Sequence, residues 1–269
     1  MTDKHIEESS APLIEHLVEL RGRLMWSIGA LVVAILASFP FAEAIFDFLS
    51  HPVCAAIEER GRECKIVVTS AHKIFFTYVS VSIFSGFCLA FPVIAIQIWR
   101  FIAPGLYTSE QNAFLPFLLA TPALFVLGAS FAYYGAMPLA MDFFLSFENQ
   151  TLDEASGPGL EVLQTADEYL SLTMKFILAF GICFQLPVAL TLMGKAGLVE
   201  STGLKNFRKY AVVCILVVSA IVTPPDVMTQ LLLFTVVYSL YEISIWLVKM
   251  VEKKRAERDA ELEAELDEI

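Results

Sequence analysis

Two stretches of this chain carry no charge at all: the 26 residues between Lys73 and Arg100 and the 31 between Glu110 and Asp142. Shorter gaps of the same kind follow Arg23, Lys175, Lys209 and Asp226. A surface helix of a water-soluble domain needs a solvated face, so such domains do not leave lengths like these uncharged. A helix that crosses a bilayer needs ~20 consecutive apolar residues, and these gaps supply them. The chain therefore reads as an all-α, polytopic membrane protein, and the charges that remain are its functional clues.

Composition agrees. Of 269 residues, 57% are hydrophobic and 17% charged, with a mean hydropathy of +0.67; soluble domains carry nearer ~25% charged residues. We expect a cytoplasmic amphipathic segment over 1–23, one membrane domain over 24–248 and a charged cytoplasmic tail over 249–269. Much of the net charge of −11 sits in that tail, where eight acids between Glu252 and Glu268 face Lys253, Lys254, Arg255 and Arg258. Such a stretch reads as a solvated, frayed helix or a disordered tail. The first twelve residues are polar and the first apolar run begins at Leu24, so no cleavable signal peptide is expected and the first span would direct insertion. Cys88, Cys183 and Cys214 lie in apolar spans, where cysteine is usually a small hydrophobe. Cys54 and Cys64 share one polar loop and can close a disulfide if it faces an oxidising compartment.

Six spans are expected: 24–42, 74–98, 114–135, 169–193, 210–222 and 227–248. An even number puts both termini on one side, and the positive-inside rule chooses the side. With the termini inside, internal segments hold 13 of the 18 Lys and Arg residues. Both termini should be cytoplasmic, in a multi-pass membrane protein. Two long acidic outer loops, 43–73 and 137–168, would cap the outer face; in the first, the helix-like run FAEAIFDFLS is expected to break at Pro52. The fifth and sixth spans form a short hairpin. Only 16 residues separate Lys209 from Asp226, a reach of ~24 Å against a ~30 Å core. Pro224 and Pro225 stop the helix, and Asp226 is placed to cap the next one.

Catalytic signatures are missing. There is no H-E-x-x-H, C-x-x-C, phosphate-cradling glycine loop or G-x-S-x-G, and all four histidines lie outside the spans. We expect neither an enzyme nor a cofactor or metal. What remains is polar chemistry at the membrane edge and within it. In APLIEHLVELRGRL, Leu13, Leu17, Leu20 and Leu24 make one helical stripe, while Glu15, Glu19 and Arg23 fall four apart. This fits an interfacial helix, yet Glu19 is an acid that orientation rules do not require. A second such acid, Glu110, ends the inner loop WRFIAPGLYTSE beside Trp99, Phe101 and Tyr107. Within the membrane Gln185, Gln230 and Glu242 stand out, because polar groups there are costly; Gln185 and Gln230 also suit hydrogen-bond bridges between spans.

Taken in order, HLVELRGRL (16–24), FIAPGLYTSE (101–110), FAYY with the later MP (131–138), FQLPV (184–188) and TPPDVMTQ (223–230) resemble the TatC family. That family is the large polytopic subunit of the twin-arginine, Sec-independent protein translocase. Each motif alone is weak; their order and spacing over nearly the whole chain are specific. The resemblance implies a signal-peptide receptor and scaffold that recruits folded proteins bearing paired-arginine signal peptides, with transport driven by the proton-motive force. Glu19 and Glu110 match the family's acids and would meet the two guanidinium groups, a geometry that separates Arg from Lys. Leu24 and Phe101 would line the groove, and Arg21 and Arg23 would orient the acids and anchor the helix to headgroups. Thr223, Asp226 and Gln230 match the hairpin end that contacts single-span TatA- and TatB-type subunits, and Pro52 matches a position in the first outer loop, where the residue alone reads as a turn proline. Some relatives carry Glu where this chain has Gln185. Self-association is expected, with no nucleic-acid partner. The competing class is a stand-alone secondary transporter of a small solute or ion, which should show internal repeats and a polar cluster near the midplane; residues 24–135 and 169–248 show no such repeat.

Overall fold

The computed structural model describes residues 3–61, 63–64, 66–68, 70–102, 115–152, 165–224 and 226–267. These residues are helical almost throughout: α1 Asp3–Ser38, α2 Ala42–Glu58, α3 Ala71–Ile102, α4 Leu115–Phe131, α5 Met137–Leu152, α6 Ala166–Cys183, α7 Leu186–Lys195, α8 Ser201–Val222 and α9 Val227–Asp267. Among the described residues no strand forms; one isolated β-bridge joins Val67 to Thr165. The protein is an all-α membrane protein. Five stretches are long and apolar enough to cross a bilayer: Leu17–Glu58, Ala71–Phe101, Phe117–Ser146, Ala166–Lys195 and Val227–Arg258.

Three expectations meet the structure differently here. The first is the count of six spans, of which five qualify by length and composition; every 18-residue stretch of α8 takes in Lys205, Arg208 and Lys209, and that helix is not among the five. The second is length. Helix α8 has 22 residues and α9 has 41, so neither is a short helix. Past Val248 the tail is rich in strong helix formers and carries the Lys253–Glu257 pair at 3.6 Å, four residues apart. The helix consequently continues through the charged tail to Asp267 instead of ending at the membrane.

Pro52 is the third. It does not break the FAEAIFDFLS helix but sits inside α2. Proline has no N–H to give the carbonyl four residues back, here that of Phe48. Two tyrosines from later in the chain take up the disturbed carbonyls. The Tyr133 hydroxyl donates to Phe48 O at 2.5 Å, with its ring stacked on Phe48 at 4.5 Å, and the Tyr169 hydroxyl donates to Leu49 O at 3.1 Å. Leu49 and Val53 are almost fully buried on this side of α2. A helix whose lost bond is replaced from outside has no reason to end.

The chain forms two compact units. The first comprises 1–46 and 74–122, and contains α1 and α3. They approach through Gly86: a Cβ there would lie 2.7 Å from the Ile35 backbone nitrogen and Cα. Only a residue without a side chain permits that contact, the usual device where membrane helices pack closely. At the far end of α3 the buried Trp99 indole donates to Thr121 Oγ1 at 3.0 Å, which ties α3 to the first turns of α4.

The second unit comprises 47–73 and 123–269. Its core includes Phe176, Phe180, Met137, Met141, Leu170 and Leu233. Helices α4 and α6 cross at glycines set against each other's phenylalanines, Gly128 on Phe180 and Gly181 on Phe125, each with 2.7 Å to a hypothetical Cβ. A π-helical turn, Ala132–Ala136, links α4 to α5 and leaves Tyr133 buried and Tyr134 exposed. One end of this unit is stapled polar group by polar group. Cys54 is disulfide-bonded to Cys64, and Arg60 Nη2 donates to Asp142 O at 3.2 Å and Oδ1 at 3.4 Å. Lys73 pairs with Asp167 at 3.0 Å, and Ala166 N–H donates to Val67 O at 3.1 Å.

Candidate functional site

The residues with expected roles fall into two groups, one in each unit. In the first unit α1 carries Glu19 and Arg23 one turn apart. Arg23 Nε donates to Glu19 Oε1 at 3.0 Å, and Nη2 donates to the same oxygen. Both side chains are partly accessible, 37% for Glu19 and 22% for Arg23. Arg21 is exposed beside them. Leu17, Leu20 and Leu24 lie bare along the same helix, its apolar stripe uncovered among the described residues. Phe101, half-buried, sits in the last turn of α3. Glu110 and Tyr107 lie outside the described residues, as do Asp153, Glu154 and Glu161 of the second outer loop. The Trp99–Thr121 bond holds the helix turns on either side of the segment that carries Glu110.

In the second unit the site is the hairpin of α8 and α9. Its turn is built as the side chains dictate. Thr223 is buried and returns both its N–H and its hydroxyl to Ser219 O, at 2.9 and 2.8 Å. Asp226 caps α9: Oδ2 accepts the Thr229 N–H at 2.7 Å and Oδ1 the Thr229 hydroxyl at 2.6 Å. Such a cap satisfies donors that the first helical turn cannot. Gln230 Nε2 reaches across to Leu216 O at 3.4 Å. Further along, Glu242 accepts from Arg208 Nη2 at 2.5 Å and from Tyr238 OH at 3.0 Å, so this acid is paired. Tyr241 OH donates to Leu204 O at 2.8 Å, and Glu252 closes the far end on the Ser201 N–H at 2.6 Å and hydroxyl at 2.5 Å. These rungs join the two helices from the turn to the first residue of α8.

Gln185 lies apart from that hairpin, at the break between α6 and α7. Pro187 heads α7, and the Gln185 amide donates back to Gly181 O of α6 at 3.3 Å. No group of His, Cys, Asp and Glu side chains able to hold a metal occurs among the described residues.

Arg208 and Ser201 were not recognised as partners from the sequence. A signal for the first was present: Arg208 precedes Thr223 by 15 residues and Glu242 follows Asp226 by 16, nearly equal distances from a tight turn, which antiparallel helices bring to about one level. Nothing comparable marked Ser201 and Glu252, whose meeting depends on how α7 leads into α8.

A family model described as "Sec-independent protein translocase protein (TatC)" matches residues 15–235. A Sec-independent protein translocase protein TatC from Magnetococcus marinus is 47% identical over 258 residues, 96% of this chain and 91% of that one. Its counterpart from Aquifex aeolicus is 40% identical over 246 residues, covering 91% and 98%. A crystal structure of a twin arginine translocase receptor, TatC, superposes with a TM-score of 0.78 at 38% identity, over 88% of this chain and 99% of that one. A second, determined in the detergent DDM, gives 0.76 at 40% identity over 86% and 98%. At this identity and coverage the fold is shared along almost the entire length, and the chain belongs to the TatC family of Sec-independent protein translocase proteins.

Proposed function

We propose that this twin-arginine translocase subunit is the receptor for signal peptides with paired arginines and the scaffold on which TatA- and TatB-type subunits assemble. It would recruit folded cargo at the cytoplasmic face for export driven by the proton-motive force. The observation that carries the reading is Glu19, a partly exposed carboxylate that already accepts two nitrogens of one guanidinium, from Arg23. A cargo arginine offers the same planar donor set, and a lysine ammonium does not. Glu110 is proposed for the second arginine, with Leu24 and Phe101 along the apolar stretch that follows the pair. Arg21 and Arg23 hold the acids in position and face the headgroups.

The reading takes α8 as a sixth span, with both termini in the cytoplasm. Rungs between α8 and α9 run from Leu216–Gln230 to Ser201–Glu252, so a membrane crossed by α9 is crossed by α8 beside it. Its 22 residues reach about 33 Å at ~1.5 Å each, and Lys205, Arg208 and Lys209 would sit in its cytoplasmic turns. Thr223, Asp226 and Gln230 are proposed as the contact for single-span partners, and Gln185 as a neutral intramembrane hydrogen-bonding group.

Binding of a labelled signal peptide to the detergent-purified protein tests the receptor role, with Arg-Arg and Lys-Lys peptides compared. Arg-Arg binding should fall at least tenfold in the Lys-Lys peptide and in the Glu19→Ala and Glu110→Ala variants, with protein abundance unchanged. Equal binding of the two peptides to the native protein would remove the receptor assignment.

A further inference from the structure

A pocket of about 570 Å³ opens in the second unit where α5, α6 and the end of α8 meet. Its lining is divided by chemistry. Asp167 and Glu168 stand at the first turn of α6, and Lys175 lies two turns further along the same helix; Phe144, Leu172 and Ile221 form apolar wall. Asp167 pairs through Oδ2 with Lys73 at 3.0 Å. Glu168 holds Thr165 through Oε2 at 2.7 Å and is otherwise exposed. Lys175 is exposed and forms no ion pair among the described residues. An ammonium in an apolar span is costly and commonly marks a functional group.

We propose that this pocket binds the phosphoethanolamine headgroup of a membrane phospholipid. The phosphate meets Lys175, the ammonium meets the Asp167 and Glu168 carboxylates, and the acyl chains lie along Phe144, Leu172 and Ile221. The vertical order fits. Eight residues separate Asp167 from Lys175, ~12 Å of helix rise. The lysine stem leans toward the helix N-terminus and carries its charge toward the polar end, closing part of that distance. In an aminophospholipid the ammonium sits further from the hydrocarbon than the phosphate, as the carboxylates sit further out than Lys175. The two carboxylates disfavour a purely anionic headgroup, and a quaternary ammonium lacks the N–H groups that the exposed Glu168 carboxylate would accept. The proposal rests on α6 being a membrane span and is independent of signal-peptide recognition.

Native mass spectrometry tests it on the full chain after exchange into equal parts of phosphatidylethanolamine, phosphatidylglycerol and phosphatidylcholine. Phosphatidylethanolamine should be retained at least tenfold over either competitor. Lys175→Gln should abolish that preference, and Lys175→Arg should keep it, which separates loss of the cation from loss of the fold. Equal retention of phosphatidylglycerol, or unchanged selectivity in Lys175→Gln, would overturn the proposal. Displacement of the lipid by soluble phosphoethanolamine at millimolar concentration would overturn the lipid source. Arg-Arg peptide binding measured on the same preparations keeps a failure here distinct from a failure of the receptor reading.

Discussion

The exchange of hydrogen bonds at Pro52 makes a quantitative expectation. In the native chain Phe48 O has lost its helical donor, and the Tyr133 hydroxyl replaces it at 2.5 Å. Tyr133→Phe keeps the ring stacked on Phe48 and removes only that donor. A buried acceptor left without a partner costs ~1–3 kcal/mol. Phe48 itself is half exposed, which argues for the lower half of that range, about 1–2 kcal/mol. In a Pro52→Ala background the alanine N–H can restore the bond within α2, and losing the hydroxyl should then cost only about 0.5 kcal/mol. Pro52→Ala alone decides nothing, because proline also restricts the unfolded chain by ~0.4–1 kcal/mol. The double-mutant cycle cancels that contribution. We expect a coupling of about 1 kcal/mol, read from SDS-titration unfolding followed by circular dichroism. If Tyr133→Phe costs the same in both backgrounds to within ~0.5 kcal/mol, the limit of additivity, the hydroxyl does not substitute for the proline's missing donor.

Three further outcomes are expected. The Cys54–Cys64 bridge closes a loop of sequence separation 10, for which chain entropy gives about 3 kcal/mol; reductant should lower the unfolding midpoint of the native protein to that of the Cys54→Ser/Cys64→Ser variant, and a native midpoint indifferent to reductant would argue against the bridge. Gly86→Ala should cost ~1–3 kcal/mol, because its Cβ must displace the Ile35 backbone. Gly29→Ala in α1, with nothing within 4 Å, should cost nothing in the same unfolding assay, and similar losses at both positions would contradict the close crossing of α1 and α3. Asp226→Ala should cost ~1 kcal/mol as a lost helix cap while Asp226→Ser recovers most of it; equal loss in both would mean that the carboxylate acts through something other than capping.

What could be read from the chain, and what could not, divides along physical lines. Uncharged length reports membrane helices directly, so Ala71–Phe101 and Val227–Arg258 were legible. Helix α8 was harder because Lys205, Arg208 and Lys209 interrupt its uncharged length, and the partner of Arg208, Glu242, stands 34 residues on. The cap at Asp226 was visible because capping is local. Pro52 misled for the complementary reason: its effect on α2 was judged from local donors, whereas the replacement donors come from residues 133 and 169. Glu242 was recognised as needing a partner, but its identity required the register of two helices. The pairings of Lys73 with Asp167 and Arg60 with Asp142 had no signal, since they join segments whose separation along the chain sets no distance.

The hairpin carries this reasoning one step further. Asp226, Thr223, Gln230, Glu242 and Glu252 all bond to groups within α8 and α9 or their connecting turn. A polar group inside a membrane that already has its partner offers a second helix much less than an unpartnered one. The outward residues Val213, Val217, Ile221, Met228 and Leu231 are apolar and exposed. A single-span partner docking here would meet a rigid apolar surface, with Gln230 as the polar group whose bond, at 3.4 Å, is longest among these and most easily exchanged. Gln230→Leu should therefore weaken partner crosslinking more than it weakens the hairpin, and Asp226→Ala should do the reverse. Crosslinking yield and unfolding midpoint measured on both variants decide between them. If the two variants lose both properties in parallel, the hairpin's internal bonds and its docking surface are one and the same.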